Sequence, residues 1–287
     1  MNGNQLARIA LVALVAAFAA QACFAQVFYS VISPEGHQNW LLGTIHSEDE
    51  RVLEFPPVLE QALKQADTVA LELLPDAEML ARLDAAMRLP EGQALSDHLD
   101  KALYESVRSA FVGYGVDADD IERLRPWAAA MTLSQPPVRT GRFMDLLLAR
   151  TAAEYGAISV ALETLDEQLA FFTGLGENAH LALLRQAVED REYARDEFEA
   201  LLRAYLESDL DALQAQAQRQ LSQLPESVQR EFRVHGIERR NMEMARRAQP
   251  LLDRGASLIA VGALHLGGPK GMVALLRARG NRVDAIY

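Results

Sequence analysis

The chain has 287 residues, half of them hydrophobic and 7% aromatic, which is ordinary globular composition rather than that of a disordered chain. It is long enough for one large core or two fused halves. Forty acidic residues against 28 basic ones give a net charge of −12, which disfavours contact with phosphate backbones and argues against nucleic-acid binding.

The first 25 residues read as a cleavable secretory signal. Arg8 is their only charge, Ile9 to Ala20 is apolar, and Cys23-Phe24-Ala25 offers a small-x-small cleavage site before Gln26. The apolar run is short of the roughly 20 residues that span a bilayer, so no stable membrane span is expected after cleavage. A lipoprotein signal ending at Cys23 is the rival, with Ala20-Gln21-Ala22 a poor match to the usual Leu-led box. Either way the protein is expected to be periplasmic or secreted. Cleavage after Ala25 removes the single cysteine, so disulfides and a Cys-based zinc site drop out, and any metal must be bound through His, Asp or Glu.

Residues 26–287 read as one domain. Val27 to Ile32 and Asn39 to Gly43 form a hairpin across the turn residues Ser33-Pro34-Glu35-Gly36. It delivers Gly43-Thr44-Ile45-His46. Pro56-Pro57 opens a helix through Ala66, and Thr68 to Leu73 follows as a buried strand ending at Glu72. Asp76 to about Ser134 is helical, broken at Gly113-Tyr114-Gly115. A helix over Gly141–Tyr155 feeds a third buried strand, Ala157 to Glu163. Its Val160-Ala161-Leu162-Glu163 repeats Val69-Ala70-Leu71-Glu72 letter for letter. Glu177 to Gln249 is helical and heavily charged, interrupted at Pro225 and Gly236. Then Leu258 to Val261 reads as a buried strand leading into Gly262-Ala263-Leu264-His265, a helix over Pro269–Arg279 capped by Gly280, and a closing strand from Arg282.

The fold class is therefore α/β. A central sheet is built from two strand–Gly-x-x-His–helix–strand halves and covered by a large helical insertion, roughly 76–134 and 177–249. Four strands each present one polar group, His46, Glu72, Glu163 and His265, at the carboxyl edge where open α/β sheets bind ligands. Only six histidines occur, and two share this unusual context. Two imidazoles with one or two carboxylates are an ordinary ligand set for a divalent metal with an open water position. The metal would acidify its water and a spare carboxylate would act as general base. The bland alternatives are a hydrogen-bonded histidine at a strand end and glutamates that cap helices or pair with arginine. Arg240 opens a segment with a buried side, Met242 to Ala245, and would stabilise an oxyanion or hold Glu72 or Glu163. His235 reads as surface or inter-helix packing. The glycines at 174, 176, 267 and 268 lack nucleotide-binding spacing.

Leu41-Leu42-Gly43-Thr44-Ile45-His46, Leu71-Glu72, Leu162-Glu163-Thr164-Leu165 with Glu167-Gln168-Leu169, Arg240-Asn241 with Met244-Ala245, and Val261-Gly262-Ala263-Leu264-His265 occur in that order. In this the chain resembles the TraB/GumN family, related to the Tiki proteases and more distantly to the erythromycin-esterase-like fold. The resemblance spans nearly all of the expected mature chain. It implies a metal-dependent hydrolase, most plausibly a peptidase, using manganese, cobalt or zinc. His46, His265 and Glu72 would be the metal and catalytic set, with Glu163 and Arg240 in support. One departure is that Asp145, in Gly141-Arg142-Phe143-Met144-Asp145, is displaced from the Gly-x-Asp pattern expected there. The partner would be a peptide or small-molecule substrate. A non-catalytic protein that sequesters a peptide or signal molecule is the alternative. A role in exopolysaccharide export, suggested by the GumN name, has no carbohydrate-binding aromatic cluster behind it.

Overall fold

A computed structural model of the protein describes residues 27–74 and 76–286. The expected signal, with Cys23, lies outside the described residues. In chain order come β1 (Phe28–Ile32), β2 (Gln38–Thr44), α1 (Glu50–Leu53), α2 (Pro57–Gln65) and β3 (Thr68–Leu71). The first helical block comprises α3 (Ala77–Met87), α4 (Lys101–Ala110), α5 (Ala118–Glu122) and α6 (Pro126–Leu133). Then α7 (Met144–Glu154) leads into β4 (Ile158–Ala161). The second block is α8 (Leu165–Gly174), α9 (Glu177–Glu189), α10 (Arg191–Leu206), α11 (Leu210–Ser222) and α12 (Glu226–Glu231). A π-helical segment, Phe232–Glu238, joins α12 to α13 (Arg239–Arg254). β5 (Ser257–Gly262), α14 (Met272–Ala278) and β6 (Arg282–Ala285) close the chain.

The six strands form one sheet in the order β4-β3-β5-β2-β1-β6. β1 is antiparallel to both its neighbours, and the other contacts, β2–β5, β3–β5 and β3–β4, are parallel. The two Gly-x-x-His strands lie side by side, with Gly43 opposite Val261 and Thr44 opposite Gly262. Parallel strands need a helical crossover. The duplicated sequence supplies one after each, α1–α2 from β2 to β3 and α14 from β5 to β6. The crossovers cover both faces of the central strands, which explains the unbroken apolar run of β5, where Leu258 to Val261 are fully buried. Burial of Leu258, Ile259 and Val261 contributes on the order of 1.5–3 kcal/mol each. A second, smaller core unites the helical blocks through Leu95, Val107, Phe111, Ile121, Leu133 and Leu184.

Three expectations change. The strand ending near Glu163 is not buried. β4 is an edge strand with Ile158 68% exposed, because an apolar run alone does not distinguish an edge from a centre. Gly236 does not break its helix but widens it into the π turn, and there its lack of a side chain lets Phe171 pack close, 3.3 Å from where a Cβ would sit. The last long helix does not end at Gln249 either, although Pro250 follows. α13 runs on to Arg254 and stops at Gly255, whose φ is +86°.

The first glycine of the Gly-x-x-His pair is a packing requirement. A Cβ on Gly43 would lie 2.6 Å from Leu266 Cδ1 and 3.0 Å from Ala263 Cα, against the turn that carries the second histidine. Tyr205 of α10 also donates to the Gly43 carbonyl at 2.8 Å. Gly43→Ala is expected to lower stability by about 1–3 kcal/mol through this overpacking, read as a reduced urea midpoint.

Candidate active site

Because β4, β3, β5 and β2 are consecutive and parallel, Glu163, Glu72, His265 and His46 leave the same edge in that spatial order. The two Val-Ala-Leu-Glu copies pair one residue out of register, Ala70 opposite Val160, and the Glu163 N–H donates to the Glu72 carbonyl at 2.9 Å. Glu163 is then fixed by the helix that starts behind it. Thr164 and Glu167 form a reciprocal capping box on α8, and Arg247 grips Glu167.

Arg240, in the first turn of α13, draws the two glutamates together. Its Nη2 lies 2.6 Å from Glu72 Oε2 and 2.6 Å from Glu163 Oε2, and its Nε donates to Glu163 Oε1 at 3.0 Å. Gln168 Nε2 donates to the same two oxygens, at 3.2 and 3.1 Å. The fourth oxygen, Glu72 Oε1, accepts the Gly262 N–H at 2.7 Å. Burial opposes the charge on Glu72, but the His265 and Arg240 charges and the Gly262 amide outweigh it and hold the carboxyl below its usual range. The His265 contribution exists only while that ring is protonated, so near neutrality Arg240 and the amide sustain it. Burial likewise opposes the charge of Arg240, yet both carboxylates keep its pKa raised.

His265 is buried, and its protonation is dictated from behind. Asn241 Nδ2 donates to the Lys270 carbonyl at 2.8 Å, which turns Asn241 Oδ1 toward His265 Nδ1 at 2.6 Å. Nδ1 therefore carries the proton and Nε2 a lone pair. Burial pushes the His265 pKa down, against the pull of Glu72, so the ring is neutral near pH 7. Its Nε2 faces Glu72 Oε1 at 3.7 Å, with no hydrogen-bond partner among the described residues.

His46 is held differently. Its ring stacks on Phe143, centroids 4.0 Å apart and planes 9° from parallel. Phe143 arrives on a loop clamped by Glu48, whose carboxylate accepts the N–H groups of Arg139 (2.8 Å), Thr140 (3.0 Å) and Gly141. His46 is exposed in part, yet the protein around its ring, Phe143 included, desolvates it enough to lower its pKa despite the nearby Glu48 charge. Two residues beyond Phe143, Asp145 bonds to Thr44 at the end of β2 and feels the charge of Glu72. Its burial is the main reason that its pKa rises to about 6.

A cavity of about 870 Å³ opens beside this edge, between α9, α10, α11 and the π segment. Leu133, Phe198, Leu201 and Phe232 make it largely apolar, and it reaches the polar cluster through His46 and Asn241. Glu163 and Arg240 instead border a smaller cavity, about 350 Å³, on the other side of the π segment. The larger volume thus adjoins the candidate chemistry rather than enclosing it.

Glu72, Glu163, Arg240 and His265 form one cluster, and His46 stands apart on the neighbouring strand end. Among the described residues no three His, Cys, Asp or Glu side chains are grouped to hold a metal ion. His265 Nε2 and Glu72 Oε1 offer two donors where a catalytic zinc keeps three protein ligands. The set His46, His265 and Glu72 does not fit a metal in this arrangement, because His46 is turned onto Phe143 and Glu72 toward Arg240. Sequence reasoning did not assign roles to Asn241, Gln168, Phe143 or Glu48. Asn241 and Gln168 stand in the motifs that carry the resemblance, beside Arg240 and Glu167, while Phe143 and Glu48 were marked only by lying near Asp145 and His46.

A family model described as TraB/PrgY/gumN matches residues 28–285. The chain belongs to the TraB/PrgY/gumN family. No curated protein and no solved structure matches it significantly. The match of this TraB/PrgY/gumN member takes in every residue of the cluster, of the Glu48 clamp and of both cavities.

Asp145 gives a pH test of the site's geometry. With a folded pKa of about 6 against 3.8 for the free side chain, the folded state binds the extra proton. Stability is then lost as pH rises from about 4 to 6, and the loss stays in force above that window. Asp145→Asn is expected to gain on the order of 2 kcal/mol over wild type at pH 8 and nothing at pH 3.5, measured by denaturant melts at both pH values.

Proposed function

We propose that this protein is an exported hydrolase that cleaves an amide or ester bond in a peptide-like substrate with an apolar body. The observation that carries the reading is the pair of lone-pair acceptors, His265 Nε2 and Glu72 Oε1, 3.7 Å apart and each fixed from behind, by Asn241 and by Gly262. A water that donates one O–H to each turns its own lone pair outward, the orientation a nucleophile needs. As that oxygen attacks the carbonyl, its proton passes to the acceptor pair. Arg240 offsets the accumulated negative charge without touching the substrate. The acceptor pair gives that proton to the leaving group as the bond breaks, and His46, kept neutral at the lip of the apolar cavity, faces the bound substrate there. No step runs through a metal.

The peptidase assignment draws support from family membership and from the size and apolar character of the cavity. Export rests on the sequence of residues 1–25, and N-terminal sequencing of protein from the producing cells is expected to begin at Gln26. Incubation with a peptide library, read as new termini by mass spectrometry, is expected to show cleavage. His265→Ala and Glu72→Gln should each lower kcat about 10²–10⁴-fold, whereas His46→Ala should act mainly on KM. For the wild type, kcat/KM should rise with pH and level off below 6.5, since burial lowers both histidine pKa values.

A sequestering protein is the second reading. It is favoured by one feature, that the large cavity is lined by His46 and Asn241 and by none of Glu72, Glu163, Arg240 and His265. Retention of library peptides with no new termini would select it over the hydrolase.

A further inference from the structure

We infer that the resident cation of this centre is the guanidinium of Arg240, seated between the strand-end carboxylates where a divalent ion would otherwise be bound. The inference concerns the site of the proposed hydrolase but rests on the geometry of the cluster alone.

Every carboxylate oxygen of the pair is engaged by a donor that belongs to the fold. Glu72 Oε2 and Glu163 Oε2 converge on one nitrogen, Arg240 Nη2, and both take Gln168 Nε2 as well. Glu163 Oε1 takes Arg240 Nε, and Glu72 Oε1 takes the Gly262 amide. Convergence of two carboxylates on one positive atom is what a metal centre looks like, and here the atom is nitrogen. The guanidinium is itself tied down, with Nη1 donating to the Gly236 carbonyl at 3.3 Å in the π turn. Arginine suits the seat because its planar donors fork onto two carboxylates and it does not lose its proton.

The rest of the cluster argues the same way. Gln168 presents an amide N–H₂ to the oxygens, the polarity that serves an anion and repels a cation. A divalent ion at His265 Nε2 and Glu72 Oε1 would stand beside the Arg240 charge, with only two protein donors to offset that repulsion. Arg240 is by this account a positioning residue. It holds Glu72 in the orientation that leaves Oε1 facing His265, and it supplies the positive charge that the family resemblance assigns to a metal.

The test reads metal and needs no turnover. Full-length mature protein, dialysed without chelator, is analysed for bound metal and then titrated calorimetrically with Zn²⁺, Mn²⁺ and Co²⁺. Less than a tenth of an equivalent of metal is expected, with no binding that His265→Ala or Glu72→Gln removes. Arg240→Met, which vacates the seat and leaves two buried carboxylates, is expected to bind divalent ions at least tenfold more tightly than wild type, an increase abolished in the Arg240→Met/Glu72→Gln double variant. One equivalent of metal in the wild type, lost in His265→Ala or Glu72→Gln, would overturn the inference, and that measurement stands even where Arg240→Met does not fold. Peptide cleavage that persists in EDTA supports the inference together with the hydrolase reading. Cleavage abolished by EDTA from a protein carrying one metal removes the inference and leaves the hydrolase. Metal-free protein with no cleavage removes the hydrolase and leaves the inference.

Discussion

The contact on which the site depends is the ion cluster of Arg240 with Glu72 and Glu163. Two carboxylates at adjacent strand ends, one only 3% exposed and the other 23%, repel each other and lose solvation as the helices close over them. One guanidinium from the far end of the chain offsets both penalties. Such a cluster is a poor source of net stability, since well-packed apolar groups would serve the fold as well. Removing a single partner, however, strands a buried charge at a cost of about 3–5 kcal/mol. The cluster therefore specifies one arrangement more than it strengthens the molecule. It fixes α13 against the carboxyl edge of the sheet, and the neighbouring Asn241 then sets the tautomer of His265.

The sheet makes the cluster possible by register. Strands β2 and β5 pair so that their glycines, 43 and 262, fall within one residue of each other, and each glycine leaves room for the element opposite. A Cβ on Gly262 would lie 3.2 Å from Glu72 Oε1 and 3.5 Å from His265 Cδ2. The Gly-x-x-His spacing is thus a statement about close approach as much as about histidine. Beside it, the Glu48 clamp on residues 139–141 does for His46 what Asn241 does for His265. A polar residue orients each imidazole, indirectly through Phe143 in one case and by a direct hydrogen bond in the other.

Much of this was legible in the sequence, because repeated local pattern reports repeated local structure. The two Gly-x-x-His units are neighbouring parallel strands with helical crossovers, the two Val-Ala-Leu-Glu runs are also neighbours, and Gly280, at φ +91°, caps α14 as expected. What the sequence did not disclose depends on three-dimensional neighbours. An apolar run does not say whether a strand has a partner on one side or two, which is why β4 was misplaced in the interior. A proline or glycine in a helical stretch signals strain without saying whether the helix ends, runs on, as at Pro250, or widens, as at Gly236. A metal set read from residue types presumes that the carboxylates are free. The other reading, that Arg240, 168 residues beyond Glu72, holds Glu72 or Glu163, is open in the sequence too, and spacing alone does not choose between them. Asp145, whose place in a motif was in doubt, lies against Thr44 and within reach of the Glu72 charge because α7 begins beside the end of β2.

The position of β5 has a consequence for how the molecule is made. This strand lies between β2 and β3, which precede it by some two hundred residues, and it is the only bridge between them in the sheet. Until residue 262 has been synthesised, β1–β2 and β3–β4 are two separate ribbons with unpaired inner edges, and the helical blocks have half a floor to settle on. Contacts so distant along the chain are the slow ones to form. The polypeptide must pass through a stage in which the apolar edges of β2 and β3 wait for their last partner.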